Sequence, residues 1–246
     1  MAQQEVEWFS TWFDSPYYHI LYSSRDDHEA QHFIDKLLDY LHPKPHHKIL
    51  DLACGKGRHS RYLNRKGYDV TGIDLSEQSI QYARQFQNER LHFAVHDMRT
   101  VYKPEAFDFV LNLFTSFGYF DNETENVVAL SATAKTIAHG GKLVIDFMNT
   151  DKVIARLVME EEKEVQGIRF NIRRRVENGF IVKTICFTDQ GQDYRFVERV
   201  RALRQEDFME YFGIAQLRLV EVFGDYELKP FDPAKSERMI FVLKKY

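Results

Sequence analysis

The stretch 48–76 constrains the fold of this chain more than any other segment. It begins with a short apolar run, 49–52, that is typical of a buried strand, and continues into a turn that contains two glycines. A helix is predicted over 58–66, followed by a second strand that ends at Asp74. The segment therefore predicts a βαβ unit with an acidic residue at the tip of its second strand.

The residue types in this unit favour a nucleoside ligand. Gly55 and Gly57 allow the backbone to turn tightly and to approach a ligand, and the following helix offers free N–H groups. A carboxylate at Asp74 can accept hydrogen bonds from both hydroxyls of a ribose. The dinucleotide fingerprint GxGxxG expects a third small residue at position 60, where this chain has Ser60 behind bulky neighbours. The unit therefore gives no clear indication of a dinucleotide.

The motifs DLACGKG at 51–57 and GIDLS at 72–76 resemble the first two motifs of class I S-adenosylmethionine-dependent methyltransferases. The resemblance implies that Asp51 lies near the methionine end of the cofactor and that Asp74 binds its ribose. Cys54 stands where the family more often has glycine, and its side chain is small enough to be tolerated. The later segment GGKLVIDFMN, 140–149, is similar to a late motif of the same family.

The same resemblance extends the expected cofactor site. Asp97, after a predicted third strand at 91–95, matches an acid that contacts the adenine amino group. The N-terminal segment 5–22 is rich in aromatic residues, which suits a helix packed on the core and also a sulfonium ion held against ring faces. The expected cofactor-binding residues are Tyr18, Tyr22, Arg25, Asp51, Ala53, Cys54, Gly55, Gly57, Arg58, His59, Asp74, Leu75, Asp97, Met98, Asn112, Leu113 and Phe114.

Three residues are candidates for orienting or deprotonating the methyl acceptor. Tyr119 and Asp146 follow predicted strands, and His19 lies in the aromatic N-terminal segment. The resemblance implies in-line displacement at the cofactor methyl group. Positioning in a dry pocket can supply much of the rate of such a reaction, so that no dedicated base is required.

The expected fold is a Rossmann-like α/β domain with a mostly parallel seven-stranded sheet, flanked by helices, and an antiparallel β insert after strand five. Residues 1–46 form an N-terminal helical cover and 47–150 the cofactor-binding core. Residues 151–204, with Asn178-Gly179 as a hairpin turn, form the insert, and 205–246 supply a helix and the last two core strands. We expect the insert to serve as a lid or as the contact of a homodimer.

Composition narrows the partners of this 246-residue chain. A formal net charge of −4 and a sequence pI near 6.2 give no electrostatic case for nucleic acid. Two isolated cysteines predict no disulfide framework, and the chain shows no signal peptide and no apolar run long enough for a membrane span. We therefore expect a cytoplasmic protein that methylates a small-molecule acceptor.

Other functions stay open at this point. The chain could methylate RNA or protein, or bind the cofactor without catalysis as a sensor. A separate motif, His28-Glu29-Ala30-Gln31-His32, matches the HExxH pattern of zinc hydrolases. Its histidines lie on the polar face of a predicted helix, and no third ligand stands out downstream. We therefore expect no metal site.

Overall fold

The structure is a computed structural model that describes residues 7–23 and 27–246. This part of the chain contains eleven strands, most of them rich in aliphatic and aromatic residues. In chain order these are β1 (Lys48–Leu52), β2 (Asp69–Asp74), β3 (Leu91–Val95), β4 (Phe107–Asn112), β5 (Ile137–Met148), β6 (Glu160–Val165), β7 (Ile168–Glu177), β8 (Phe180–Asp189), β9 (Gln192–Arg201), β10 (Leu217–Phe223) and β11 (Arg238–Lys245). They make two separate sheets.

The larger sheet has the strand order β10-β11-β5-β4-β1-β2-β3. The first five strands run parallel, and β11 pairs antiparallel with both β5 and β10. The strand order reverses at β1 and β4, so the crevice beyond their carboxyl ends is the expected ligand site of such a sheet. This arrangement confirms the predicted fold class.

Two short helices precede the sheet, α1 (Trp8–Phe13) and α2 (Pro16–Leu21). A single N-terminal helix was the expectation, and the break between the two has a local cause. Ser15 caps α2 by accepting a hydrogen bond from the Tyr17 backbone N–H, and Pro16 occupies the first helical position, where its missing N–H costs nothing. Trp12 and Leu21 are each 1% exposed and pack against the smaller sheet.

The remaining helices are α3 (Asp27–Leu41), α4 (Arg58–Arg65), α5 (Glu77–Ala83), α6 (Glu123–Thr136), α7 (Thr150–Ala155) and α8 (Gln205–Ile214). Side chains of α3, α4 and α5 form one apolar cluster with the sheet, and those of α6 and α8 form another. Alternate residues of β1 contribute to the two clusters, Ile49 to the first and Leu50 to the second. The central strands are therefore covered by apolar residues on both faces.

The boundary between α6 and β5 differs from the sequence pattern. The capping pattern at Asn122 and the glycine pair at 140–141 predict a helix that extends to residue 139. Asn122 caps α6, but the helix ends at Thr136. Ile137 is fully buried and pairs with Phe107 of β4, which draws the chain into the sheet before the two glycines are reached. The glycines lie within β5, where a Cβ added to Gly141 would stand 2.8 Å from the Asp108 carbonyl oxygen.

The smaller sheet has the antiparallel order β6-β7-β8-β9 and follows β5 as predicted. At the hairpin between β7 and β8, Asn178 and Gly179 have φ values of 51° and 76°, as a type I′ turn requires. β6, with the sequence EEEKEV, was not predicted because it carries almost no apolar residue. In the described part of the chain, no helix combines the length and apolar character needed to cross a bilayer.

Candidate active site

The turn after β1 is shaped by residues in left-handed backbone conformation. Ala53, Gly55 and Gly57 have φ values of 64°, 54° and 77°. A Cβ added to Gly57 would lie 2.6 Å from the Phe93 ring, whereas one added to Gly55 would meet nothing within 4 Å. Gly57, expected to bind cofactor, is therefore required by packing and does not line the cavity described below. Gly55 does line it and leaves room for a ligand.

Asp74 lies at the carboxyl end of β2, directly opposite this turn. Its two carboxylate oxygens accept backbone N–H groups from Gly55 and Ser76, each at 2.8 Å. Burial raises the pKa of Asp74, and these two hydrogen bonds offset part of that effect. Because each carboxylate oxygen has two acceptor positions, the group can still accept two hydroxyl donors.

Asp51 is a second carboxylate in the same region and is only 2% exposed. The Ser60 hydroxyl donates a hydrogen bond to it at 2.6 Å. Burial raises the pKa of Asp51 to about 6, the Ser60 hydrogen bond opposes this rise, and the nearby Asp74 charge adds to it. A cationic ligand group beside Asp51 would favour the ionised form.

The carboxyl ends of β1, β2 and β4 open into a cavity of about 410 Å³. This volume lies within the range of about 300–1,000 Å³ that is common for small-molecule sites. The expected cofactor residues on its wall are Tyr18, Tyr22, Asp51, Ala53, Cys54, Gly55, Arg58, His59, Asp74, Leu75, Asp97, Met98, Leu113 and Phe114. Arg25 lies outside the described residues.

Asn112 is placed behind the cavity rather than on its wall. Its side chain is 1% exposed, and its Nδ2 donates to the Leu52 carbonyl oxygen at 3.1 Å. It therefore ties the end of β4 to the end of β1, which fixes the two loops that border the cavity. This placement does not favour the predicted contact between Asn112 and the cofactor.

Asp97 lies on the cavity wall beside Met98, and its carboxylate accepts hydrogen bonds from Arg99. Arg99 donates to both oxygens of Asp97, and it also pairs with Glu7 and Glu125 at 2.7 Å each. Burial alone would raise the pKa of Asp97, but the hydrogen bonds from Arg99 outweigh it and lower the pKa below its usual value. Arg99 thereby connects the N-terminal segment to the loop expected at the adenine.

A guanidinium group stands on the wall near the start of α4. Nη2 of Arg58 lies 3.0 Å from Nε2 of His59, and the His59 ring stacks on Phe114 at 4.7 Å between centroids. Because Arg58 is permanently charged, it is suited to a carboxylate group of a ligand. This part of the wall therefore offers both signs of charge, with Arg58 on one side and Asp51 on the other.

Aromatic side chains wall the opposite end of the cavity. Trp8 meets Tyr119 edge to face at 5.5 Å, and Phe13 contacts Tyr119 at 5.2 Å. The Tyr119 hydroxyl donates to the Thr115 carbonyl oxygen, and His19 lies on the same wall. Two of the three candidate catalytic residues, Tyr119 and His19, thus face the cavity.

Asp146, the third candidate, is placed elsewhere. It is completely buried, with Oδ1 accepting from Arg238 Nε at 2.7 Å and Oδ2 accepting from the Phe114 backbone N–H at 2.7 Å. It does not line the cavity. The placement favours a role in holding the loop after β4, because both oxygens are used by the protein itself.

Two residues of the cavity wall were not predicted from the sequence, because they reach the cavity only through tertiary contacts. Glu198 and Val200 of β9 line the aromatic end. Alternate residues of a strand lie on the same face, which places Glu198 between Phe196 and Val200. A charged residue within this otherwise apolar face was the sequence feature that could have indicated a functional role. Trp8 also lines the cavity, and among the described residues its Nε1 atom is buried with no hydrogen-bond partner.

The HExxH segment lies on α3, away from the cavity. His32 pairs with Glu227, which also accepts from Lys36 at 3.1 Å. Within residues 7–23 and 27–246, no group of three or more histidine, cysteine or acidic side chains is arranged to hold a metal ion. The placement gives the zinc-hydrolase alternative no support.

The residues of the cavity fit S-adenosylmethionine. Asp74 can accept from the ribose hydroxyls, and the missing side chain of Gly55 leaves space beside them. Asp51 and Arg58 offer opposite charges for an amino group and a carboxylate group, while the aromatic end suits a sulfonium. The chemistry that this cofactor supplies when bound is an electrophilic methyl group on a positively charged sulfur.

Comparison with known proteins agrees with this fit. Residues 49–141 match a family model described as a methyltransferase domain. The chain is 27% identical over 209 residues to the provisionally named methyltransferase YqeM of Bacillus subtilis, covering 80% of this chain and 84% of that protein. It is 28% identical over 190 residues to the dTDP-3-amino-3,4,6-trideoxy-alpha-D-glucopyranose N,N-dimethyltransferase of Streptomyces venezuelae, covering 72% and 77% of the two chains.

Solved structures share the fold. The S-adenosylmethionine-bound amino pentose methyltransferase CalS10 from Micromonospora echinaspora superposes with a TM-score of 0.69 and 20% sequence identity, over 94% of this chain and 98% of that one. The residues matched by the family model, 49–141, include the βαβ unit and strands β2, β3 and β4. The matched domain model and the named relatives confirm the resemblance to the class I S-adenosylmethionine-dependent methyltransferases.

Proposed function

We propose that this protein transfers the methyl group of S-adenosylmethionine to a small-molecule acceptor by in-line displacement. The observation that carries the proposal is the continuity of one cavity. Asp51, Gly55 and Asp74 line the end suited to the cofactor, and Trp8, Tyr119 and Glu198 line the other. A small acceptor in the second end would stand next to the methyl group without crossing solvent.

The enclosure of the acceptor end supports a small acceptor over RNA or protein. The segment that contains α1 and α2 closes this end by contacts to the core domain and to the insert. Asp14 accepts from the Ser76 hydroxyl at 2.6 Å on the core side, and Trp12 donates to Glu198 at 2.6 Å on the insert side. A polymer would have to displace these helices to present an acceptor atom. Relatives whose names specify amino-sugar acceptors are in keeping with this proposal.

The protein residues contribute mainly by positioning and by excluding water. Rings of α1 and of the loop after β4 exclude water from the acceptor end, and Tyr119 and His19 orient the acceptor there. Holding two reacting groups at contact distance in a dry site supplies a large part of the barrier reduction. A general base is therefore not required at the moment of transfer. The homodimer and the cytoplasmic location stay predictions.

The first experiment is calorimetric titration of the purified protein with S-adenosylmethionine. Asp74→Ala removes the carboxylate at the cavity, whereas Asp69→Ala, at the opposite end of β2, is a matched control. We expect Asp74→Ala to weaken binding by about tenfold or more, which corresponds to about 1.4 kcal/mol, and Asp69→Ala to bind as the wild type. Equal affinities in all three proteins would contradict the assignment of the cofactor end.

The second experiment identifies the acceptor class. Protein and methyl-labelled cofactor are incubated with a cell extract that has been divided by filtration into metabolites and macromolecules. Label in the metabolite fraction is the expected result. Label in RNA or protein would overturn the small-molecule proposal, and cofactor binding without label in either fraction would favour the sensor.

A further inference from the structure

A charged pair interrupts the apolar face of the insert sheet. Lys183 of β8 and Glu198 of β9 are direct cross-strand partners, and their side chains are only 15% and 14% exposed. Neighbours on the same face of β9 are Phe196 and Val200. Burying such charges costs free energy unless they are paired, so their position on this face calls for an explanation beyond solubility.

The carboxylate of Glu198 is held firmly from one side. Its Oε1 accepts from Trp12 Nε1 at 2.6 Å and from the Tyr22 hydroxyl at 2.7 Å. Lys183 also donates to the Tyr22 hydroxyl. The group is thus fixed by residues of the N-terminal segment and of the insert together, which a site that recognises a ligand requires.

The second oxygen keeps capacity for a ligand. Among the described residues, Oε2 of Glu198 is approached by Lys183 Nζ at 3.4 Å, which is longer than the usual hydrogen-bond distance of about 2.7–3.2 Å. Glu198 lines the aromatic end of the cavity, and Lys183 does not. The Glu198 carboxylate on the cavity wall can therefore accept a further hydrogen bond.

Rings around the same space favour positive charge. Trp8, Phe13, Tyr18 and Tyr119 line this end, and the faces of such rings attract cations. A carboxylate among aromatic rings suits an ammonium group or an amine N–H. It disfavours a carboxylate or phosphate on the acceptor, because that group would be repelled by Glu198.

We propose that the methyl acceptor is a small amine whose nitrogen is recognised by Glu198, an inference that rests on the proposed function. The amine releases one proton to solvent before its lone pair forms the new C–N bond, while the S–C bond breaks and its electron pair stays on sulfur. An ammonium acceptor and the sulfonium donor thus give a methylammonium product, S-adenosylhomocysteine and one proton.

The test compares isosteric ligands on protein saturated with S-adenosylhomocysteine. The probes are benzylamine and benzyl alcohol, cyclohexylamine and cyclohexanol, and glucosamine and glucose, each titrated by calorimetry. The variant is Glu198→Gln, and the matched control is Glu161→Gln, which alters a carboxylate of the same sheet that pairs with Arg174 outside the cavity. Every amine that binds is then assayed for S-adenosylhomocysteine formation from the methyl donor.

We expect at least one amine to bind about tenfold or more tightly than its alcohol, with that preference lost in Glu198→Gln and kept in Glu161→Gln. Absence of any amine preference in the wild type, or its survival in Glu198→Gln, would overturn the inference. If Glu198→Gln misfolds and no longer binds S-adenosylhomocysteine, the preference of the wild type for an amine over its alcohol decides whether the inference stands. Failure to bind S-adenosylmethionine at all would instead contradict the proposed function.

Discussion

Replacement of Asp51 by asparagine should stabilise the ligand-free protein at neutral pH. Burial raises the pKa of Asp51 from 3.8 to about 6. A difference of roughly two pH units between the folded and unfolded states corresponds to about 3 kcal/mol of unfolding free energy. Asparagine has a similar shape and no charge, and it can keep a hydrogen bond to Ser60.

The sign of this effect follows from proton binding. Between the unfolded and folded pKa values the folded protein binds more protons at Asp51 than the unfolded chain does. The contribution of Asp51 to stability therefore falls as pH rises from about 4 to about 6 and stays at its lower value above that. The advantage of Asp51→Asn over the wild type should grow by about 2 kcal/mol between pH 4.5 and pH 7.5.

Urea unfolding of the wild type and of Asp51→Asn at pH 4.5, 5.5, 6.5 and 7.5 measures this difference. Because the two proteins share all other titratable groups, subtracting their unfolding free energies at each pH removes the contributions of those groups. Calorimetry on the same samples should show that Asp51→Asn binds S-adenosylmethionine more weakly than the wild type does, because the variant loses the carboxylate that faces the cavity. A stability difference that is constant over this pH range would refute the reasoning that burial raises the pKa of Asp51.

Four further substitutions test other parts of the site. Gly57→Ala should lower the unfolding free energy by about 2 kcal/mol or more, because φ is 77° and the new Cβ would also meet the Phe93 ring. Gly55→Ala has only the backbone strain of its φ of 54°, so it should lower stability less and weaken cofactor binding more; urea unfolding and calorimetry measure the two effects separately. Arg238→Met should cost about 3–5 kcal/mol in urea unfolding, because it leaves the buried Asp146 carboxylate without its partner; an unchanged midpoint would contradict this account. Trp8→Phe should change the unfolding free energy by less than about 1 kcal/mol, since the lost N–H has no partner among the described residues, yet slow methyl transfer; unchanged kcat and KM would show that this N–H does not contact the acceptor.

The local sequence was sufficient to predict the strands and the turn that position Asp51 and Asp74. A strand, a glycine turn, a helix and a second strand are encoded by neighbouring residues, and a parallel pair places Asp51 and Asp74 at the same sheet edge. The type I′ hairpin at Asn178-Gly179 was predictable for the same reason, since its conformation depends on two adjacent residues.

The sequence pattern could not separate cavity residues from the residues behind them. Asp146 and Asn112 both lie at strand ends, as functional residues in such sheets do, but their side chains bond to other parts of the protein. Arg238, the partner of Asp146, is 92 positions away in the chain. Local periodicity carries no information about which distant group will approach a strand end.

Sequence alone therefore determined the resemblance to a known family, the mostly parallel α/β core and the position of Asp74 at the tip of its strand, because short-range patterns fix these features. Only the tertiary structure brought α1 and α2 between the two sheets and placed Glu198 within hydrogen-bond distance of Trp12, 186 positions earlier in the chain. The aromatic end of the cavity is built from segments that meet only after folding. Its chemistry depends on three-dimensional contacts that no single stretch of the sequence encodes.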